Sequence, residues 1–281
     1  MFITKNIEMV RRERWANPDQ TWGFVPTMGA LHEGHLSLVR CARAENNRVA
    51  VSIYVNPTQF APTEDLDAYP RQLERDIELL RAEGVDLVFT PSDAEMYPPD
   101  FQTYVSVEKI TRVLEGASRP THFRGVTTIV AKLFNIVQPT HAYFGQKDAQ
   151  QAVVIRQMVR DLNFNVDVVI CPIVREPDGL AMSSRNQYLH GDTRTAATVL
   201  YRALTAAQAA FNRGERNADT LRALMRDIIA AEKPARLDYV SIADPLTLQE
   251  LDTISGSALC SLAVFLGKTR LIDNIILEEP E

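Results

Sequence analysis

Two histidines, His32 and His35, flank Gly34 in the run Pro26-Thr27-Met28-Gly29-Ala30-Leu31-His32-Glu33-Gly34-His35. An imidazole donates a hydrogen bond or takes a proton near neutral pH. At this spacing the two rings share one face of a helix that starts near Glu33. The apolar residues 22–25 precede the run and a helical pattern follows it, so the spacing predicts a strand that bends through glycine into a helix. Such a bend leaves unpaired backbone N–H groups and the positive end of the helix dipole facing one point. Phosphate is the expected guest. Two solvated histidines at a helix start, or part of a zinc site, would use the same residues, although a zinc site lacks a third ligand nearby.

Better-known phosphate loops are excluded. Gly29 and Gly34 have the Walker spacing, but His35 and Leu36 occupy the places of the required lysine and hydroxyl residue. There is no G-x-G-x-x-G string either.

Other residues able to do chemistry follow further apolar runs. Residues 48–55 read as a central parallel strand that stops at Asn56-Pro57, and this delivers Gln59, both donor and acceptor, to the carboxyl edge of the sheet. Residues 141–144 read as another strand and lead into Gly145-Gln146-Lys147-Asp148, where an ammonium could offset charge gathering on a phosphate. A polar run at residues 175–179 precedes Met182-Ser183-Ser184-Arg185.

The elements that must position these groups alternate. Helical stripes are expected over residues 33–45, 69–83 (Leu73, Ile77 and Leu80 inward), 129–137 and 152–162, with strands at 86–90 and 166–170. A short helix is expected at 107–114, then a polar loop at 115–125 containing Arg119, His122 and Arg124. The first 15 residues are mixed and mildly helical. The predicted class is α/β, a Rossmann-like parallel sheet flanked by helices over residues 1–172. Past Pro172 the pattern changes to alanine-rich helices and three β-like runs at 237–243, 258–266 and 270–277, so residues 173–281 are expected to form a smaller α+β domain that closes over the active site.

At 281 residues the chain has room for two domains, and 46% hydrophobic with 23% charged residues is an ordinary globular balance. A net charge of −6 argues against nucleic acid as partner and favours small molecules. Cys41, Cys171 and Cys260 fit no C-x-x-C spacing and read as buried small apolar residues. No apolar run approaches a membrane span and no apolar leader core follows the early basic residues, so a cytoplasmic protein is expected.

In order along the chain, residues 26–35, Asn56-Pro57-Thr58-Gln59-Phe60, Gly145-Gln146-Lys147-Asp148 with Gln150-Gln151, and Met182-Ser183-Ser184-Arg185 resemble the strings of the pantothenate synthetase family, within the HIGH-motif nucleotidyltransferase superfamily. The run 266–274, ending Asp273-Asn274, resembles the family ending. The chain departs at Gln146, where the family carries Glu.

The resemblance implies ATP-dependent condensation of (R)-pantoate with β-alanine through a pantoyl adenylate, with magnesium on the phosphates and commonly a homodimer. It implies that His35 engages the phosphate most directly, with His32 and Lys147 beside it and Ser183, Ser184 and Arg185 on the departing pyrophosphate. Further ATP contacts are implied at Met28, Gly29, Ala30, Leu31, Glu33, Gly34, Gly145, Gln146, Asp148, Val174 and Met182. Gln59 and Gln151 are similar to the amides that hold pantoate, while His122 and Arg124 are expected to be structural or loop-gating. Two other readings use the same fold: nucleotidyl transfer to a phosphate ester, and a nucleotide-binding sensor without catalysis.

Overall fold

The computed structural model describes residues 1–61 and 66–279. By internal contacts the chain divides into one unit, Met1–Gln146 with Gln151–Pro172, and a second, Lys147–Gln150 with Ile173–Glu281.

In the first unit, β1 (Phe2–Thr4), β2 (Trp22–Thr27), β3 (Arg48–Ile53), β4 (Leu87–Phe89), β5 (His141–Gly145) and β6 (Asp167–Cys171) form one sheet in the order β1-β4-β3-β2-β5-β6. All five pairings are parallel. The helices between them are α1 (Ile7–Trp15), α2 (Glu33–Glu45), α3 (Leu73–Ala82), the short α4 (Asp93–Met96) and α5 (Glu115–Ser118), α6 (His122–Val137) and α7 (Ala149–Asp161).

Alternate strand residues enter two cores, because successive side chains leave a strand on opposite faces. Trp22, Phe24, Ala50, Leu87, Phe89, Ala142 and Phe144 meet α6 and α7 on one face. Val25, Val49, Val51, Val88 and Tyr143 meet Leu38, Val39 and Leu80 of α2 and α3 on the other. Each fully buried large side chain contributes roughly 1.5–3 kcal/mol, and both faces are covered, which is why these strands read as nearly continuous apolar runs.

The structure corrects four local expectations. β1, unread in the mixed amino-terminal segment, pairs with β4 through only three residues, too few for an alternating signal. Residues 107–114 are turns, not helix. Val105 and Val107 instead pack against the core, and just before this stretch the Val105 N–H and carbonyl bond the hydroxyls of Thr128 (3.0 Å) and Thr127 (2.7 Å) on α6. The expected loop at 115–125 holds α5 and the start of α6, so His122 and Arg124 are helical. Leu73 is exposed, and Asp76 takes the inward place on α3.

Cys171 and Cys260 are buried as expected, while Cys41 is half-buried. Burial pushes the Cys171 thiol up to about 12, which leaves little reactive thiolate.

In the second unit, β7 (Ala235–Ala243), β8 (Ala258–Leu266) and β9 (Thr269–Leu277) form an antiparallel sheet in chain order. After the short α8 (Asp192–Ala196), α9 (Val199–Asn212) and α10 (Ala218–Ala230) supply Leu200, Leu204, Phe211, Leu221, Met225 and Ile229 to a core shared with Val240, Ile242, Leu262 and Val264.

Candidate active site

β2 and β5 are neighbours, and the strands that follow them run outward in opposite directions, β3 and β4 to one side and β6 to the other. Ligands settle at such a switch point, beyond the carboxyl ends of the strands. β2 ends at Thr27 and hands the chain to the glycine bend, while β5 ends at Gly145 and leads into a 3-10 turn, Gln146–Asp148.

The bend is held by a residue that sequence reasoning missed. Gly29 has φ +83° and Ala30 φ +50°, and the second is strained for any residue with a Cβ. Asp76, fully buried on α3, compensates by accepting the Ala30 N–H (2.9 Å) and the Leu31 N–H (2.8 Å) on its two oxygens. Its signal in the sequence is a lone carboxylate on the apolar stripe of a helix.

The N–H groups of the bend are therefore not open, contrary to expectation. Gly29 N–H donates to Thr27 Oγ1 (3.2 Å), and those of Ala30 and Leu31 go to Asp76. The histidines take the next ones. His32 is the N-cap of α2, with Nδ1 accepting from Gly34 N–H (3.2 Å), and His35 Nδ1 accepts from His32 N–H (3.4 Å). Together they make a capping box built from imidazoles. A neutral ring whose Nδ1 accepts carries its proton on Nε2. The rings lie 4.1 Å apart between centroids, tilted by 36°. Two N–H donors at a helix amino terminus suit one anionic centre.

Gln59 closes the 3-10 turn Pro57–Gln59 beyond β3 and is buried. Its amide is oriented by Asn56, also unforeseen as a site residue although it lies in the quoted string. Asn56 Nδ2 donates to Gln59 Oε1 (3.1 Å) and to the Gly125 carbonyl (3.1 Å), and Asn56 Oδ1 accepts from the hydroxyls of Tyr97 (2.7 Å) and Thr58 (3.0 Å). Burial pushes the Tyr97 phenol up, which keeps it a donor. With Oε1 taken, Gln59 presents Nε2–H, whose neighbour is Met28 Sδ at 2.8 Å. Thioether sulfur is a weak acceptor, so this donor has a stronger bond to gain from an oxygen. His122 Nδ1 lies 2.9 Å from the Gln59 carbonyl, and a Cβ on Gly125 would fall 2.4 Å from the Thr58 carbonyl. His122 is thus a support for the turn, and only glycine admits α6 so close.

A cavity of about 520 Å³ opens beside the bend, with Met28, Gly29, Tyr54, Arg71 and Asp76 in its wall. Neither histidine nor Gln59 lines it.

Gln151 is half-buried on the first turn of α7. Lys147 is also half-buried, its Nζ 3.8 Å from Asp148 Oδ1. In the second unit a tight hairpin pairs Arg175 with Ala181, and Met182 N–H donates to the Val174 carbonyl (3.0 Å). Val174 therefore sits beside residues 182–185, although seven residues separate it from Met182 in the chain. Ser183 Oγ accepts the Arg185 N–H (3.3 Å) and caps the 3-10 turn Ser184–Tyr188.

A doubly wound parallel sheet with paired imidazoles at the start of α2 and an oriented amide, Gln59, past the end of β3 has the architecture of an α/β enzyme. The family model for pantoate-beta-alanine ligase matches residues 2–276, and the chain belongs to that family, a family of ligases. It is 65% identical over 256 residues to the pantothenate synthetase of Roseiflexus castenholzii, covering 91% of this chain and 92% of that one. It is 60% identical over 280 residues to that of Herpetosiphon aurantiacus, covering 99% and 100%. Among solved structures it is similar to the pantothenate synthetase of Thermus thermophilus, with TM-score 0.95, 48% identity and 99% and 100% coverage. It is also similar to the pantoate-beta-alanine ligase of Francisella tularensis complexed with beta-gamma ATP and beta-alanine, with TM-score 0.81, 38% identity and 100% and 99% coverage.

Proposed function

We propose that this chain joins (R)-pantoate to β-alanine, using ATP, to give pantothenate, AMP and pyrophosphate. The observation that carries the reading is the pair of imidazoles at the start of α2, held by Nδ1 bonds to the backbone, in a chain that belongs to this family.

In the first step a carboxylate oxygen of pantoate attacks the α-phosphorus of ATP and the bond to pyrophosphate breaks. Charge grows on the α-phosphate oxygens, where His35 and His32 donate and the Lys147 ammonium adds a full positive charge. Ser183, Ser184 and Arg185 bind the leaving pyrophosphate, and Arg suits this because its planar fork matches phosphate oxygens. Residues 28–34, Gly145, Gln146, Asp148, Val174 and Met182 complete the nucleotide contacts. In the second step the β-alanine amine attacks the acyl carbon, AMP leaves, and the amine gives up a proton.

Gln59 and Gln151 hold pantoate. The orientation that Asn56 imposes makes Gln59 a donor to a pantoate oxygen, and a neutral donor leaves the carboxylate nucleophilic where a cation would hold it too strongly. Gln146 in place of the family Glu removes one negative charge next to Lys147. Magnesium enters with ATP on its phosphate oxygens.

The same reading includes a cytoplasmic homodimer that uses neither nucleic acid nor membrane. The net charge of −6 argues against a nucleic-acid partner, and no helix among the described residues is long and apolar enough to cross a membrane.

The test is AMP release in the presence of ATP, magnesium and pantoate. Steady release that requires β-alanine is expected. Release driven by a phosphate-ester acceptor instead would replace this reading with nucleotidyl transfer.

A further inference from the structure

The carboxyl-terminal run 266–274 takes no part in the steps above, yet its last two residues sit in a buried hydrogen-bonded network of the second unit. Asp273 on β9 is 2% exposed. Its oxygens accept Arg175 Nη1 (2.6 Å), Arg175 Nη2 (3.0 Å) and the Asn274 N–H (2.8 Å). Arg175 Nη1 also donates to the Gly179 carbonyl (3.0 Å), and its guanidinium lies 4.2 Å from the Tyr201 ring centroid. Asn274 is equally buried, and its Nδ2 donates to the main-chain carbonyl of Lys147 (2.9 Å), 127 residues away in the chain.

A buried carboxylate is costly to desolvate, and burial does push Asp273 up, against the guanidinium that pulls it down. For stability alone, an apolar pair of the same volume would serve as well. A directional network of this kind is better suited to fixing positions. It fixes two: Asn274 holds the backbone of Lys147, and Arg175 holds the hairpin whose return strand delivers residues 182–185.

We infer that Asp273, Asn274 and Arg175 are positioning residues for the phosphate-handling groups, with Asn274 setting the reach of the Lys147 ammonium through its main-chain carbonyl. The inference rests on the proposed reaction, in which Lys147 touches the phosphate. Displacing a charged donor by a fraction of an ångström weakens it in the transition state far more than it disturbs the fold.

The test is a double-mutant cycle on the intact chain. Asn274→Ala removes the tether and leaves the Asp273 to Arg175 pair in place. Turnover is expected to fall about tenfold or more, with the pantoate KM unchanged, since Gln59 and Gln151 belong to the first unit. In a Lys147→Ala background the same substitution should cost less than about twofold, because there is no ammonium left to position. Asn274→Asp, isosteric and presenting an acceptor to the Lys147 carbonyl, should behave like Asn274→Ala and serves if that variant fails to fold. Wild-type turnover in these variants, or an equal loss with and without Lys147, would overturn the inference. Wild-type protein without pantoate-dependent turnover would instead overturn the proposed reaction, so the two failures are distinct.

Discussion

Nδ1 of His32 and Nδ1 of His35 each accept a backbone N–H at the start of α2, so each imidazole has a structural edge and a chemical edge. The two can be separated. Asparagine reproduces the Nδ1 side of histidine, and at position 32 it is a good N-cap, but it has nothing at Nε2. His35→Asn and His32→Asn should therefore keep the melting temperature within a few degrees, while turnover falls by ~10²-fold or more, the loss typical of a missing transition-state donor. Thermal unfolding and steady-state kinetics on the same preparations check this. A parallel loss of stability and turnover would mean that the rings serve only the cap. The pair itself was legible in the sequence from its spacing and glycine bend. Its capping role was not, because that depends on the direction of each ring, and direction is set by packing.

At the scale of elements, the loop from β2 to α2 keeps its left-handed residues because α3 lends it a carboxylate. Asp76→Ala would strand the Ala30 and Leu31 N–H groups in a buried place, at a cost of about 2 to 5 kcal/mol for two unsatisfied donors. Denaturant unfolding measures the loss, and activity should fall with it as the bend relaxes; a variant as stable as the parent would remove Asp76 from this role. The strands and long helices could be read from period and length, since both faces of the sheet are covered. Asp76 and Asn56 could not be assigned. Each acts across a long gap in sequence, 46 residues from Asp76 to Ala30 and 69 from Asn56 to Gly125, and a side chain's local pattern does not reveal a distant partner. The failure at residues 107–114 has a similar origin, since Val107 packs against the distant core of the sheet.

For the molecule as a whole, acid should be a selective stress. Asp86 joins α2, β3 and β4. Its carboxylate accepts from Arg43 (2.7 Å), Arg48 (2.8 Å) and the Val49 N–H (2.8 Å). Burial alone would push it up, but these three donors outweigh that and hold it below the usual carboxylate range. A group with a depressed folded value adds stability above its unfolded value, about 4, and that stability is lost as pH falls through the folded value. Unfolding free energy should thus drop below about pH 4, and Asp86→Asn should flatten that drop while lowering stability at pH 7. An unchanged pH profile in the variant would assign acid sensitivity elsewhere. The central claim concerns the first chemical step, and isotope exchange tests it most directly. With magnesium, ATP and pantoate but no β-alanine, labelled pyrophosphate should enter ATP, because adenylation is complete and reversible without the amine. Exchange that proceeds without pantoate, or its absence when pantoate is present, would contradict the account.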